Sequence, residues 1–193
     1  MNTQAHVAVL VGSLRKGSYT RMAAKELIAL APNSLALEIV EIGNLPLYNQ
    51  DLDDHKTPAP EWTAFRDRLR PMNAVLFVTP EYNRSVPGVL KNAIDVGSRP
   101  YGQSVWSKKP TAVVSVSPGA IGGFGANHHL RQMLVFLDMP ALQQPEAYIG
   151  NAAKLFDSNG KLTSDTTRQF MRTIIDAFAA WVERNSATVS AHA

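Results

Sequence analysis

Short, fully apolar runs rich in β-branched residues alternate along this chain with longer stretches in which apolar residues recur every three or four positions. Residues 7–11 (VAVLV) are apolar throughout and stop at Gly12, the pattern of a strand covered on both faces. From Ser18 onward Ala24, Leu27, Ile28 and Ala31 fall at i, i+3, i+4 and i+7, which predicts an amphipathic helix closed by Pro32. Residues 35–42 (LALEIVEI) predict a second strand. Residues 43–60 carry Gly43, Pro46, Pro58 and Pro60 among Asn and Asp with no periodicity, and read as a long functional loop. Trp62, Phe65, Leu69 and Met72 then mark one face of a short helix, and residues 74–79 (AVLFVT) repeat the buried-strand pattern.

Residues 80–86 form a loop, and Pro87 stands where a helix can begin, since its missing N–H costs nothing at the first helical position. Val89, Leu90, Ala93 and Ile94 continue that helix. A fourth strand is predicted over residues 111–116, followed by a Gly-rich loop and a helix with Leu130, Met133, Leu134 and Leu137 on one stripe. A fifth strand falls within residues 141–149, and a final helix carries Phe170, Ile174, Phe178 and Trp181. Strands alternating with helices imply parallel pairing through right-handed crossovers. The fold class is therefore α/β, a flavodoxin-like doubly wound five-stranded parallel sheet of order 2-1-3-4-5. The chain has 193 residues, one domain's worth, with residues 1–4 and 187–193 as frayed ends.

Composition narrows the chemistry. The hydrophobic share is 45% and the charged share 18%, a globular balance. Nineteen Lys and Arg against sixteen Asp and Glu give a formal charge of +3, far from the concentrated basic field of a nucleic-acid binder. There are no cysteines, so disulfides, thiolate metal sites and cysteine nucleophiles are excluded together. The first residues have no basic segment, and their apolar run is too short for a signal sequence or a membrane span, so a cytoplasmic chain is expected.

In a sheet of this order, ligands sit beyond the carboxyl ends of the strands, at the switch between strands 1 and 3. The loop after strand 1 is Gly12, Ser13, Leu14, Arg15, Lys16, Gly17, Ser18, Tyr19 and Thr20, running straight into a helix. Free N–H groups and the positive helix end would face a ligand there, with Ser13, Ser18 and Thr20 adding hydroxyls and Arg15 a planar fork for a phosphate. Alone, such a segment reads equally as a capped helix behind a polar turn; its place after the first strand favours the anion site. A Walker A loop needs Lys where Ser18 stands, and a dinucleotide fingerprint needs Gly where Leu14 stands. A terminal monophosphate fits best, and on this fold that suggests FMN. Receiver domains require acidic residues where this chain has Gly12, Ser13, Thr79 and Pro80.

The loop after strand 3, Pro80, Glu81, Tyr82, Asn83, Arg84 and Ser85 followed by Val86 and Pro87, is stiffened by two prolines. It offers a ring, an amide and backbone donors to a flat heteroaromatic, or else is simply a proline-rich turn whose Tyr packs on the sheet. Ser117, Pro118 and Gly119 open the third loop with small residues that permit close approach.

The segments GSLRKGSYT, TPEYNRSVPGVLKNAID and SVSPGAIGG before HHLRQML, in this order and spacing, resemble the NADPH-dependent FMN reductase family, in particular its quinone and chromate reductase members. The resemblance covers about residues 5–185. It implies FMN as cofactor, NADPH or NADH as electron donor, and dimers or tetramers that complete the active site. By matching position it implies that Ser13, Arg15, Ser18 and Thr20 hold the FMN phosphate. Pro80 to Ser85 would hold one edge of the isoalloxazine, and Ser117 to Gly119 its other side. Many relatives have Asn at Thr20, several an aromatic residue at Arg84 and Trp at Val96, so the departures gather on the substrate side.

Hydride transfer on a flavin needs no protein acid or base, and no catalytic residue is assigned. The expected activity is two-electron, ping-pong transfer from NAD(P)H to quinones, with chromate, ferric complexes or azo compounds as further acceptors. The alternative is a flavodoxin-like electron carrier that does not oxidise NAD(P)H. Arg84, Arg99 and Tyr101 are candidates for the substrate side, the arginines supplying positive potential or serving only as surface or interface charges. Adjacent His128 and His129 point about 100° apart on a helix, so no metal site is expected and a surface or interface role is.

Overall fold

A computed structural model describes residues 4–190, with side-chain surroundings through Ser186. In chain order the elements are β1 (Ala5–Val11), α1 (Tyr19–Leu30), β2 (Leu35–Ile39), α2 (Gln50–Asp54), α3 (Pro60–Leu69), β3 (Ala74–Thr79), α4 (Gly88–Gly97), β4 (Thr111–Val116), α5 (Phe124–Phe136), β5 (Ala147–Ile149) and α6 (Asp165–Ser190). The five strands form one parallel sheet of order β2-β1-β3-β4-β5. Val7 pairs with Ala74 and Val11 with Val78, while Val75 pairs with Thr111 and Thr79 with Ser115, so β1, β3 and β4 end near one level. That shared edge is where the loops named above emerge.

Period-two alternation divides each strand between two cores. Val7, Val9 and Val11 point to one face, where Ala24 and Leu27 of α1 and Ile174, Ile175 and Phe178 of α6 cover them. Ala8 and Leu10 point to the other, beneath Trp62 and Leu69 of α3, Leu90 of α4 and Leu134 of α5. Fully buried side chains of this size stabilise by about 1.5–3 kcal/mol each. The two largest, Trp62 and Trp106, keep their indole N–H groups satisfied by the carbonyls of Pro46 and Ile94, both at 2.9 Å.

The expected order is the observed one, with local differences. Strand β2 stops at Ile39 rather than residue 42; Val40 gives its N–H to Val9 and the chain then turns away. Within residues 43–60 lies α2, capped by Asn49, whose Oδ1 accepts from the Asp51 N–H at 3.1 Å. Helix α3 begins at Pro60, ahead of its first buried residue, because proline fits the first helical position. Pro87 caps α4 from outside rather than opening it. The fifth strand occupies Ala147–Ile149 at the end of the 141–149 segment; Pro145 withholds a ladder donor just before it, and Ala141 makes only an isolated bridge to Thr111.

At the ends, the Gln4 amide donates to the Asn33 carbonyl at 3.0 Å, and residues 187–190, expected frayed, carry helical backbone. Residues 1–3 and 191–193 lie outside the described residues. Among the described residues no helix is long and apolar enough to cross a membrane.

Candidate functional site

The loop after β1 approaches the start of the loop after β3 closely. A Cβ on Gly12 would lie 3.1 Å from Pro80 Cδ and from Thr79 Oγ1, so glycine here lets the two segments touch. Beyond that contact a cleft of about 430 Å³ opens, lined by Gly12, Leu14, Arg15, Tyr82, Pro87, Gly88 and Val89. It lies at the switch between β1 and β3, where an open α/β sheet binds its ligand.

The loop after β1, which lines the cleft with Leu14 and Arg15, runs on into the N-terminus of α1. Ser18 is its cap, accepting from the Arg21 N–H at 3.2 Å, and its hydroxyl lies 2.6 Å from that of Thr20. Ser13, Ser18 and Thr20 are all buried, although each is polar. Ser13 Oγ accepts from the Arg15 N–H at 3.4 Å and so curls the loop back on itself. Leu14, Arg15, Lys16 and Gly17 are exposed and Tyr19 is half-buried against Phe156. The first turn of α1 contains no acidic residue, so nothing on the helix competes with an anion for its positive end. Buried hydroxyls, first-turn amides and two flexible cations form a donor set suited to a phosphate.

The loop after β3 is a two-residue turn. Tyr82 and Ser85 exchange both backbone hydrogen bonds at 2.9 Å, and Asn83 and Arg84 between them have φ of 52° and 65°. Two consecutive left-handed residues define the tight type I′ turn. Glu81 is mostly buried, while Tyr82 is 47% exposed and lines the cleft. The loop after β4 is stitched elsewhere: Ser117 donates its N–H to Ile149 and Asn151 donates to Gly119. Ser117 is half-buried, Pro118 and Gly119 are exposed, and none of the three lines the cleft. Their loop joins the site through Glu81, whose Oε2 accepts the Ala126 N–H of α5 at 3.0 Å.

Arg84 is 76% exposed and its guanidinium lies 3.4 Å from Glu81 Oε1. Arg99 is elsewhere, lining a second groove of about 480 Å³ between α4 and α5 with Lys91, Asp95, His129 and Phe136. Tyr101 is exposed. The adjacent histidines diverge as their helix requires: His128 Nε2 meets the Tyr148 hydroxyl at 2.9 Å, and His129 Nδ1 meets Ser85 Oγ at 3.0 Å. Burial, then a hydrogen bond to Glu146, pushes the Tyr148 hydroxyl up to about 12. Among the described residues no three His, Cys, Asp or Glu side chains gather in a group able to hold a metal.

Two features near the cleft carry no sequence signal. Leu14 packs against Gly43, where a Cβ would lie 3.0 Å from Leu14 Cδ2, so the long loop after β2 supports the loop after β1. The Glu81–Ala126 bond joins residues 45 positions apart, and no motif links them.

The sequence pattern of the NADPH-dependent FMN reductases matches residues 5–154. The chain belongs to that family. Its members are flavoenzymes with FMN as cofactor and NAD(P)H as electron donor, and the donor set at the start of α1 fits the phosphate of such a cofactor. The chain is 68% identical over 181 residues to a quinone reductase of Pseudomonas putida, covering 94% of this chain and 96% of that one. It is 47% identical to a 2-hydroxy-1,4-benzoquinone reductase of a Burkholderia species, covering 91% and 95%. Among solved structures, the flavoenzyme NAD(P)H:(acceptor) oxidoreductase FerB of Paracoccus denitrificans superposes with a TM-score of 0.86 at 43% identity, covering 94% of this chain and 98% of that one.

Proposed function

We propose that this family member is an FMN-dependent NAD(P)H:quinone oxidoreductase. The observation that carries the reading is the meeting of the loops after β1 and β3 in one cleft, with the first of them leading into the buried Ser18–Thr20 hydroxyl pair at the start of α1. Its relatives named for quinone reduction support the acceptor class.

In this reading the segment Ser13, Leu14, Arg15, Lys16, Gly17, Ser18, Tyr19 and Thr20 holds the FMN phosphate, through first-turn amides, buried hydroxyls and the Arg15 guanidinium. Pro80, Glu81, Tyr82, Asn83, Arg84 and Ser85 flank one edge of the isoalloxazine, and Ser117, Pro118 and Gly119 its other side. Bound FMN supplies hydride acceptance from NAD(P)H and hydride delivery to the acceptor. The protein's work is to bind, orient and exclude water. The preformed turn at Tyr82–Ser85 holds its donors without further ordering cost, and the Tyr82 ring offers an apolar contact at the cleft. One shallow site serves donor and acceptor in turn, which gives ping-pong kinetics. The net reaction consumes NAD(P)H, a proton and a quinone and yields NAD(P)+ and a hydroquinol.

Chromate, ferric complexes and azo compounds are secondary acceptors of the same site, and Arg84 supplies positive potential at its lip. A cytoplasmic location accords with this chemistry. A homodimer or homotetramer is the assembly we assign. The groove between α4 and α5 supports it, flanked by Val135 and Phe136 at 82% and 78% exposure, an apolar surface unusual on a monomer.

Anaerobic mixing of the purified yellow protein with NADPH tests the reading. Bleaching of the flavin band, reversed by a benzoquinone, is the expected result. A flavin that NADPH and NADH both leave oxidised would instead make the protein an electron carrier.

A further inference from the structure

We propose that Glu81 is a positioning residue: from the loop after β3 its carboxylate caps the first turn of α5 and fixes the loops after β3 and β4 as a single wall of the flavin site. The inference rests on the flavin reading above and adds to it a residue that acts through the wall.

Helix α5 has no cap of its own. Its N-cap is Gly123, in the left-handed region at φ 79°, with no side chain to accept a hydrogen bond, and its first turn holds no acidic residue. The need is met from another segment. Glu81 Oε2 accepts the Ala126 N–H at 3.0 Å, placing a carboxylate at the positive end of the helix. Among the described residues its other oxygen meets only the weak 3.4 Å contact with exposed Arg84, so the helix is its main partner. A charge-assisted bond of this kind is stronger than a neutral cap.

Gly125 makes the approach possible. A Cβ there would lie 2.9 Å from Glu81 Oε2 and 2.9 Å from the Arg84 carbonyl oxygen, and the second of these is backbone that cannot step aside. One turn further along α5, His129 Nδ1 meets Ser85 Oγ at 3.0 Å. The segment from Glu81 to Ser85 is thus pinned to α5 at both ends, with the rigid Tyr82–Ser85 turn between the pins. Tyr82, which lines the cleft, sits inside the pinned stretch. Without the Glu81 carboxylate only the Ser85–His129 pin remains, the Tyr82 end of the segment loosens from the first turn of α5, and a planar ligand must order it on binding.

The test compares wild type, Glu81→Ala, Glu81→Gln and Gly125→Ala. The holoproteins are stripped of FMN and titrated with FMN by fluorescence quenching, visible circular dichroism of the bound flavin is recorded, and amide exchange at residues 81–85 and 124–127 is measured before reconstitution. Glu81→Ala should weaken FMN about tenfold, alter the flavin dichroism and speed exchange at Ala126. Glu81→Gln, whose amide oxygen still accepts, should restore most of all three. Gly125→Ala, which also meets the Arg84 carbonyl, should lose at least as much, and adding Glu81→Ala to it should cost little more, since the Glu81 contact is already broken. Glu81→Ala with FMN affinity within twofold of wild type, unchanged dichroism or unchanged Ala126 exchange would overturn the proposal. Wild-type protein that binds no FMN would sink the flavin reading itself, while the exchange data would still decide whether Glu81 caps α5.

Discussion

Asp53 and Arg66 form a two-pronged ion pair, with Nη1 at 2.9 Å and Nη2 at 2.6 Å from the two carboxylate oxygens, and their side chains are only 2% and 6% exposed. The same guanidinium gives its Nε–H to the Val96 carbonyl near the end of α4 at 2.9 Å. Short α2, which gives no apolar residue to either core, is thereby anchored to α3 and α4 through the Asp53 carboxylate. Removing one member leaves a buried charge without its partner, so Arg66→Met should cost about 3–5 kcal/mol in urea denaturation. Replacing both, as Asp53→Leu with Arg66→Met, should recover most of that loss. A double variant as unstable as Arg66→Met would show that the bond to Val96, and not the ion pair, holds the segment.

The same cluster sets a pH dependence at both extremes. The Arg66 hydrogen bond holds the Asp53 carboxyl below its ordinary value of 3.8, against the opposing effect of burial. A carboxyl depressed in the folded state stabilises fully above its unfolded pKa, and that stability is lost as pH falls through the folded value. Tyr48 shifts the other way: burial, then a hydrogen bond to Asp53, pushes its hydroxyl up to about 12 from 10.0. Its contribution is complete below pH 10 and disappears as pH rises toward 12. Stability measured by denaturant across pH should therefore be flat through neutrality, fall below about pH 4 and fall again above about pH 10. Tyr48→Phe should flatten part of the alkaline limb, and an unaltered limb would assign that loss to other groups.

The central strands were legible because they are covered on both faces: the runs at residues 74–79 and 111–116 are apolar except for the small hydroxyl residues Thr79, Thr111 and Ser115, and β3 and β4 occupy those residues, buried at every position. Edge strand β5 was blurred because apolar residues begin ahead of Pro145, which withholds a ladder donor just before the strand. Helix α2 has no apolar period, being held by the Asn49 cap and the Asp53 ion pair, so a reading based on periodicity passes over it. At the site, local chemistry was readable in the Ser18 cap and the tight turn after β3. The contacts Glu81–Ala126 and Ser85–His129 were not, because they join segments that only the folded sheet brings together.

In the proposed site Ser18 would have two separable tasks. Its hydroxyl caps α1 through the Arg21 N–H and belongs to the polar set assigned to the FMN phosphate. Ser18→Ala should cost about 1 kcal/mol of stability and also weaken FMN. Ser18→Asp separates the two, since Asp caps as well as Ser but sets a negative charge where the phosphate would sit. Its melting temperature should stay within a few degrees of wild type while FMN affinity falls at least about tenfold. Wild-type FMN affinity in Ser18→Asp would place the phosphate away from this helix end.

The two glycines that bound α4 should respond oppositely to alanine. At Gly97 a Cβ would lie 2.4 Å from Trp106 Cζ2 and 2.5 Å from Cε2. That ring is fully buried and held by its 2.9 Å bond to the Ile94 carbonyl, so it has nowhere to retreat. Gly97→Ala should destabilise by about 1–3 kcal/mol, the range for overpacking a filled core. At Gly88 a Cβ would meet nothing within 4 Å and the backbone is not left-handed, so Gly88→Ala should add about 0.4–1 kcal/mol by restricting the unfolded chain. Equal stability changes at both positions would mean that Trp106 shifts freely, which its hydrogen bond and complete burial argue against.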